Sequence, residues 1–505
     1  MSPLFAAARR GSRFVLAPSS IALWVTVSGL CSAPAFAQSS FIENRSETRI
    51  ESRPEARSIA PRAEKSDEFS VGFATESLLT RERPKGGVAD EQRLTVRARS
   101  TSDLSSSFGA SIDLGGSSAT GTGRETMEEV PEAYVRWTTA PLAKDRTMLV
   151  VGRKLETWSR LDRDWTLGEW QPLNRFDALR PTEQGLTGAF AEVKNGGFEL
   201  IAFASPIFLP EQGPGYQLQN GRFESANPWF AEPTDQLVMF SKPTTMHYTI
   251  EMPTTDSVIN HPEGGLMLRF GDLNRPGAGV QLAYAKKPRN QVGLPFDGML
   301  DINKNEAAIA LKPVVEYHDL ASLDATMRTQ FANAPVAFNF SALYDVSNDT
   351  EMPAGSTYQR LAPLLMLSPS IEARLESNHW WGPRVKVSAL HSIGGEATVM
   401  GPLATATSPF APSTMYREAI SLEAHSRVWQ SGAGWKLETG FKWIEELEEK
   451  GRIVMADLSL ADRGTWRVAG FFDVLTSQLP ADVNPGFISR FRGNDRIGTS
   501  VQYYF

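Results

Sequence analysis

The chain has 505 residues, of which 41% are hydrophobic and 10% aromatic, with 40 glycines, a formal net charge of −7 and one cysteine. This composition excludes a helical membrane protein, because no internal stretch approaches the ~20 consecutive apolar residues that a spanning helix needs. A single cysteine also excludes a disulfide scaffold and a thiolate metal site.

The first segment carries Arg9, Arg10 and Arg13 with no acidic residue, then an apolar run from Phe14 to Phe36. It closes on Ala35-Phe36-Ala37 before Gln38, with small residues at −3 and −1 of a cleavage point, so residues 1–37 are expected to be a secretory signal peptide. Cys31 lies inside it, and the bulky Leu30 before it argues against lipoprotein processing. Cleavage removes three of 51 basic residues and none of 58 acidic ones, leaving 48 against 58, a net charge of −10. That balance argues against a nucleic-acid partner. Residues 38–66 are polar and charged, broken by Pro54 and Pro61, and are expected to form a disordered periplasmic tail.

From Glu68 onward the pattern alternates with period two, which places one set of side chains on each face of a strand. Leu94, Val96 and Ala98 alternate with Arg93, Arg97 and Arg99. In 321–331, Ala321, Leu323, Ala325 and Met327 alternate with Ser322, Asp324, Thr326 and Arg328. Ile420, Leu422 and Ala424 alternate with Ser421, Glu423, His425 and Arg427, and Leu437, Phe441 and Trp443 with Lys436, Glu438 and Lys442. The strands run to about ten residues or more, the ~9–11 that a tilted membrane strand needs. Short connections (101–103, 194–197, 430–432, 461–464) alternate with long ones (155–183, 205–244, 395–414, 477–493). Together these predict an all-β protein: a closed antiparallel transmembrane β-barrel of 18–20 strands over 67–505, its long loops external. The upper count includes a strand at 245–252.

The chain stops on a strand whose one face is Ile497, Thr499, Val501, Tyr503 and Phe505. This resembles the C-terminal strand of bacterial outer-membrane β-barrel proteins, with Val501, Tyr503 and Phe505 at the matching positions and Gly498 a partial match. The resemblance implies location in the bacterial outer membrane, contact with its lipid, and recognition of those three residues by the barrel-assembly machinery. It covers 68–505 as an architecture and singles out no particular porin.

The face opposite the apolar one carries both signs of charge, and the pore-lining candidates are Arg93, Arg97, Arg99, Asp324, Arg328, Glu423, Arg427, Lys436 and Glu438. A barrel this wide holds water or folded-in loops. The loop 155–183 combines Trp158, Trp165 and Trp170 with Asp162, Asp164 and Asp177, and is expected to pack into the lumen as a constriction. The loop 205–244, with Tyr216, Phe223, Trp229 and Phe230, is a second candidate. The arginine ladder of 93, 97 and 99 is expected to face the loop aspartates and set selectivity for small solutes. The alternatives are a plugged structural or surface-binding barrel and, less favoured, an outer-membrane hydrolase. The six histidines show no H-E-x-x-H spacing and no G-x-S-x-G is present, so neither catalytic nor cofactor nor metal residues are assigned. Asp162-x-Asp164 with Gly168 and Glu169 falls short of a calcium loop, because Thr166 stands at the third acidic position and the glycine is displaced.

Overall fold

The computed structural model describes residues 68–81, 88–105, 107–120, 125–139, 146–233, 235–239, 242–271, 276–301, 303–331, 334–348, 350–375, 382–402, 415–431, 434–462, 465–479 and 486–504. The expected signal peptide, the expected tail and Phe505 lie outside them.

Eighteen strands form one antiparallel sheet. They are β1 (Glu68–Arg81), β2 (Val88–Ser102), β3 (Phe108–Thr120), β4 (Glu125–Thr138), β5 (Arg146–Lys154) and β6 (Leu186–Asn195). Then follow β7 (Phe198–Ser205), β8 (Glu263–Gly271), β9 (Gly277–Pro288), β10 (Tyr317–Phe331), β11 (Ala334–Ser347) and β12 (Leu364–Arg374). The last six are β13 (Arg384–Gly394), β14 (Glu418–Gln430), β15 (Lys436–Glu446), β16 (Gly451–Ala461), β17 (Trp466–Ser477) and β18 (Arg496–Tyr504). Each pairs with its sequence neighbours, and β1 pairs with both β2 and β18, from Gly72 against Tyr504 to Thr80 against Arg496. The sheet therefore closes without an edge, the condition for strands in hydrocarbon, where unpaired backbone groups cost several kcal/mol each. No helix among the described residues is long and apolar enough to cross a membrane.

The longest connections all lie on one rim, although β1–β2, β3–β4 and β15–β16 on that rim are joined by only a few residues. Asn195 faces Phe198 across a two-residue turn in which Gly196 takes φ 57°, the left-handed conformation that such hairpins favour. The connections β5–β6, β7–β8 and β9–β10 are long and share the opposite rim. Within them lie the short helices α1 (Arg160–Trp165) and α2 (Thr255–Ile259); α3 (Phe487–Arg490) precedes β18 on the same rim. The candidate strand at 245–252 is not a barrel strand. Lys242–Ile250 instead joins Gln236–Met239, Glu306–Leu311 and Phe296–Asp301 in a four-stranded loop sheet with its own core around Tyr248, Ile309 and Leu311. Its alternation is real, but a half-buried strand alternates wherever it lies.

Alternation sends apolar side chains outward along the wall. Leu94 is 54% exposed and Val135 56%, and Ile112, Leu149, Phe338, Ile371, Val468 and Val501 are exposed with them. The inward face is only partly polar. Towards the long-loop rim, Val150, Phe190, Ile201, Met267, Leu320, Leu343, Met366, Ile444 and Ile453 are buried in one cluster with the side chains of the β5–β6 loop. The inner face thus carries charge in both halves, and towards the long-loop rim buried ionic residues such as Lys154, Asp473 and Arg496 surround the apolar seat.

Candidate functional site: a loop across the lumen

Residues 155–185 leave β5, cross the lumen and return at β6. The departure is held by charge: Lys154 Nζ pairs with Glu156 at 2.8 Å and with Glu192, and Glu156 pairs with Arg269 of β8 at 2.7 Å. Ser159 caps α1 by accepting from the Asp162 N–H, and Thr166 ends the helix at φ 54°. Asp162 then closes the turn, accepting the backbone N–H groups of Glu169 at 2.9 Å and Trp170 at 3.0 Å. One wall grips α1 through its entry: Gln281 and Ser322 donate to the Trp158 carbonyl at 2.9 and 2.8 Å, and the Arg160 N–H donates to Asp324 at 2.9 Å. Trp158 stacks on Trp170 with ring centroids 5.4 Å apart and planes within 6°.

Further round the barrel, Trp165 Nε1 donates to Ser368 of β12 at 2.9 Å and Asp164 pairs with Lys386 of β13 at 2.7 Å. Burial opposes ionisation of Asp164, but Lys386, Arg163 and Arg160 outweigh it and lower its pKa. On the remaining wall, Arg496 of β18 bonds Asp177 at 2.6 Å and Asp473 of β17 at 2.5 Å, and Arg180 also pairs with Asp473. Against the effect of burial, Arg496, Arg180 and Arg93 hold the Asp177 carboxyl down to about 2. The loop is thus tied to β8–β10, to β12–β13 and to β17–β18, so it spans the lumen from wall to wall.

The sequence-derived residues divide accordingly. Trp158, Trp165 and Trp170 are buried in the apolar seat, and Asp162, Asp164 and Asp177 each hold the loop in place. Arg93, Arg97 and Arg99 point inward but meet different partners from those expected. Arg97 forks onto Asp113 of β3 at 2.7 and 3.0 Å, Arg99 joins the same carboxylate at 3.1 Å, and Arg93 pairs with Glu91 at 2.8 Å. Of the loop aspartates only Asp177 feels Arg93, whose guanidinium also lies 4.8 Å over the Phe176 ring. The guanidinium fork of Arg97 matches the two oxygens of the carboxylate on the neighbouring strand.

Asp324 is buried beneath α1 and does not front open lumen, whereas Arg328 is half-buried. On the short-turn side, Glu423 pairs with Lys442 at 2.9 Å and Arg427 lies 3.5 Å from Glu438, with Lys436 half-buried nearby on β15. The loop 205–244 divides its residues: Trp229 stacks on Phe487 and meets Phe491 edge to face, while Phe223 packs with Tyr248 of the loop sheet. Val501 faces outward, and Tyr503 packs against Trp466 with centroids 4.5 Å apart.

Lys386, Gln281, Asp113, Asp473 and Arg496 escaped the sequence reading. Arg496 had a signal: it alternates with Ile497 and so shares the inward face with Gly498, Ser500 and Gln502. The other partners could not be matched to loop residues without coordinates.

A closed strand cylinder with an apolar exterior, unequal rims and a charged interior defines a transmembrane β-barrel of the outer-membrane type. No family model and no curated protein matches the chain. Among solved structures it is similar to Acinetobacter baumannii OccAB3, with 9% identity, 87% of this chain and 99% of that one covered and a TM-score of 0.44. It is also similar to Pseudomonas aeruginosa OccK2 (OpdF), with 10% identity, coverage of 87% and 98% and a TM-score of 0.46. Pseudomonas aeruginosa OpdK, crystallised with vanillate, matches with 10% identity, coverage of 87% and 98% and a TM-score of 0.43.

Proposed function

We propose that the chain is a porin-like channel of the bacterial outer membrane, passing small hydrophilic solutes beside a constriction formed by residues 155–185. The observation that carries this reading is the attachment of that loop to several walls of the lumen. Polar and charged side chains line the strands on its short-turn side. Lys442 is 27% exposed, Arg99 24% and Glu423 17%, so this part of the interior is solvated. An inner wall of both signs orients polar solutes, and a narrowed passage sieves them by charge and size.

The apolar seat of the three tryptophans favours a second reading, a plugged barrel serving the envelope structurally or by surface binding. Planar-bilayer recording of the purified, heat-modifiable protein separates the two. Stable ohmic steps support the channel; silence from correctly folded protein supports the plug.

A further inference from the structure

We propose that the cavity between residues 167–169 of the luminal loop, the β9–β10 loop and the β11–β12 loop binds one neutral, hydroxyl-rich solute the size of a single sugar ring. This solute class rests on the channel reading for its onward passage, while binding is independent of conduction. The cavity measures about 220 Å³, below the ~300–1,000 Å³ of sites for drug-sized molecules, so it holds one small solute. Three separate stretches of chain build it, so it exists only where the luminal loop meets the other two.

Four residues of its wall, Glu169, Glu316, Tyr358 and Gln359, are half-buried, and their side chains make no hydrogen bond or ion pair among the described residues. Polar groups that converge on one cavity without partners in the chain are open to a ligand. A bare backbone gives Glu316 its place: a Cβ on Gly293, also on the wall, would lie 2.4 Å from Glu316 Oε1, so glycine leaves the carboxyl its room. Gly293 is fixed in turn by reciprocal backbone hydrogen bonds with Val314, both at 2.9 Å.

Charge argues against an ionic occupant. Glu316 feels Arg289, whose guanidinium is committed to Asp345 at 2.7 Å and Ser347 at 2.9 Å. An anion would therefore meet Glu316 and find no free arginine. Burial, with Asp345, pushes the Glu169 pKa up to about 8 against Arg289 and Lys287. Near neutral pH its carboxyl thus carries a proton, and a cation gains little from it. Hydroxyl groups suit what remains, because each both donates and accepts. They can donate to Glu316 and to the Gln359 carbonyl, and accept from Tyr358, the Gln359 amide and protonated Glu169. Leu294 and Leu361 line the same cavity and offer apolar surface to the C–H face of a sugar ring.

The test titrates the whole barrel, folded in detergent at pH 7, with glucose, galactose and mannose, and with glucosamine and glucuronate as charged counterparts of similar size. Saturation-transfer NMR reads the binding. At least one hexose is expected to saturate, and to bind more tightly than either charged sugar. Glu316→Gln is expected to weaken it about ten-fold and Tyr358→Phe several-fold. His247→Asn, in the loop sheet, is expected to leave it unchanged. Heat-modifiable mobility verifies that each variant is folded. Absence of saturable binding for all three hexoses overturns the proposal, as does tighter binding of glucosamine or glucuronate, or hexose binding that neither Glu316→Gln nor Tyr358→Phe weakens. Hexose binding by a barrel silent in bilayers keeps the site and removes the channel; ohmic steps without binding do the reverse.

Discussion

Asp164 on the luminal loop and Lys386 on β13 meet at 2.7 Å, with side chains 16% and 7% exposed. Trp165, the next residue, donates to Ser368 of the adjoining strand β12, so a charge and a hydrogen bond fasten consecutive loop positions to neighbouring strands. Breaking a buried pair by removing one member typically costs about 3–5 kcal/mol, because the survivor stays desolvated and uncompensated.

Lys386→Gln is therefore expected to loosen the loop while the strands stay paired. Single-channel recording should show larger, noisier steps, and the temperature at which the barrel changes gel mobility should fall. An unaltered conductance would show that this anchor does not shape the passage.

The Asp177–Arg496–Asp473–Arg180 group fastens the loop's far end, and Arg496 is its centre, with 1% of its side chain exposed. Arg496→Met removes two charged hydrogen bonds and leaves Asp177 and Asp473 facing one another with Arg180 alone between them. A loss of about 3–5 kcal/mol is expected on the same reasoning. Urea unfolding monitored by tryptophan fluorescence measures it. Asp473→Asn keeps one acceptor oxygen, enough for Arg496 or Arg180 but not for both, and turns an NH2 donor towards the other guanidinium, so it too is expected to destabilise the barrel.

The ladder gives a test of sign. Two guanidiniums share the Asp113 carboxylate, so the Arg97→Gln/Arg99→Gln double variant leaves one negative charge, and Asp113→Asn leaves two positive ones. Reversal potentials in a KCl gradient are expected to move towards cation preference in the first case and anion preference in the second. A shift in the same direction for both would mean that the changes act by displacing the loop.

The barrel itself is legible in the sequence because period two over long strands marks an inside and an outside, and Leu94 and Val96 alone suffice to turn Arg93, Arg97 and Arg99 inward. Rim assignment follows from short turns such as Asn195 to Phe198. The seat of the loop is harder to read. Leu320 alternates in phase with Ser322 and Asp324, so an apolar residue on the inner face looks like an interruption until Trp158 and Leu161 cover it. Thr245 to Met252 shows the converse difficulty, because alternation records half-burial and not what covers the buried half. Pairings such as Asp164 with Lys386 join distant stretches of chain, and any of several inward lysines would have served equally well on sequence alone.

Glu183 is expected to make permeation through the barrel respond to pH. It lies on the return arm of the loop beside Asp162 and Arg163, and burial together with Asp162 and Asp164 pushes its pKa up to about 6, with Arg163 opposing. The folded state thus binds a proton that the unfolded chain releases near the ordinary value of 4.5. Stability from this group is fully present below that value and declines as pH rises through about 6. Permeation carries the same sign: above pH 6 the loop gains a negative charge. Between pH 5 and 7.5, the reversal potential is expected to move towards cation preference, and Glu183→Gln is expected to remove the part of that movement centred near pH 6. If the Glu183→Gln titration matched that of the unsubstituted protein, the pH response would belong to other groups and Glu183 would have no part in selectivity.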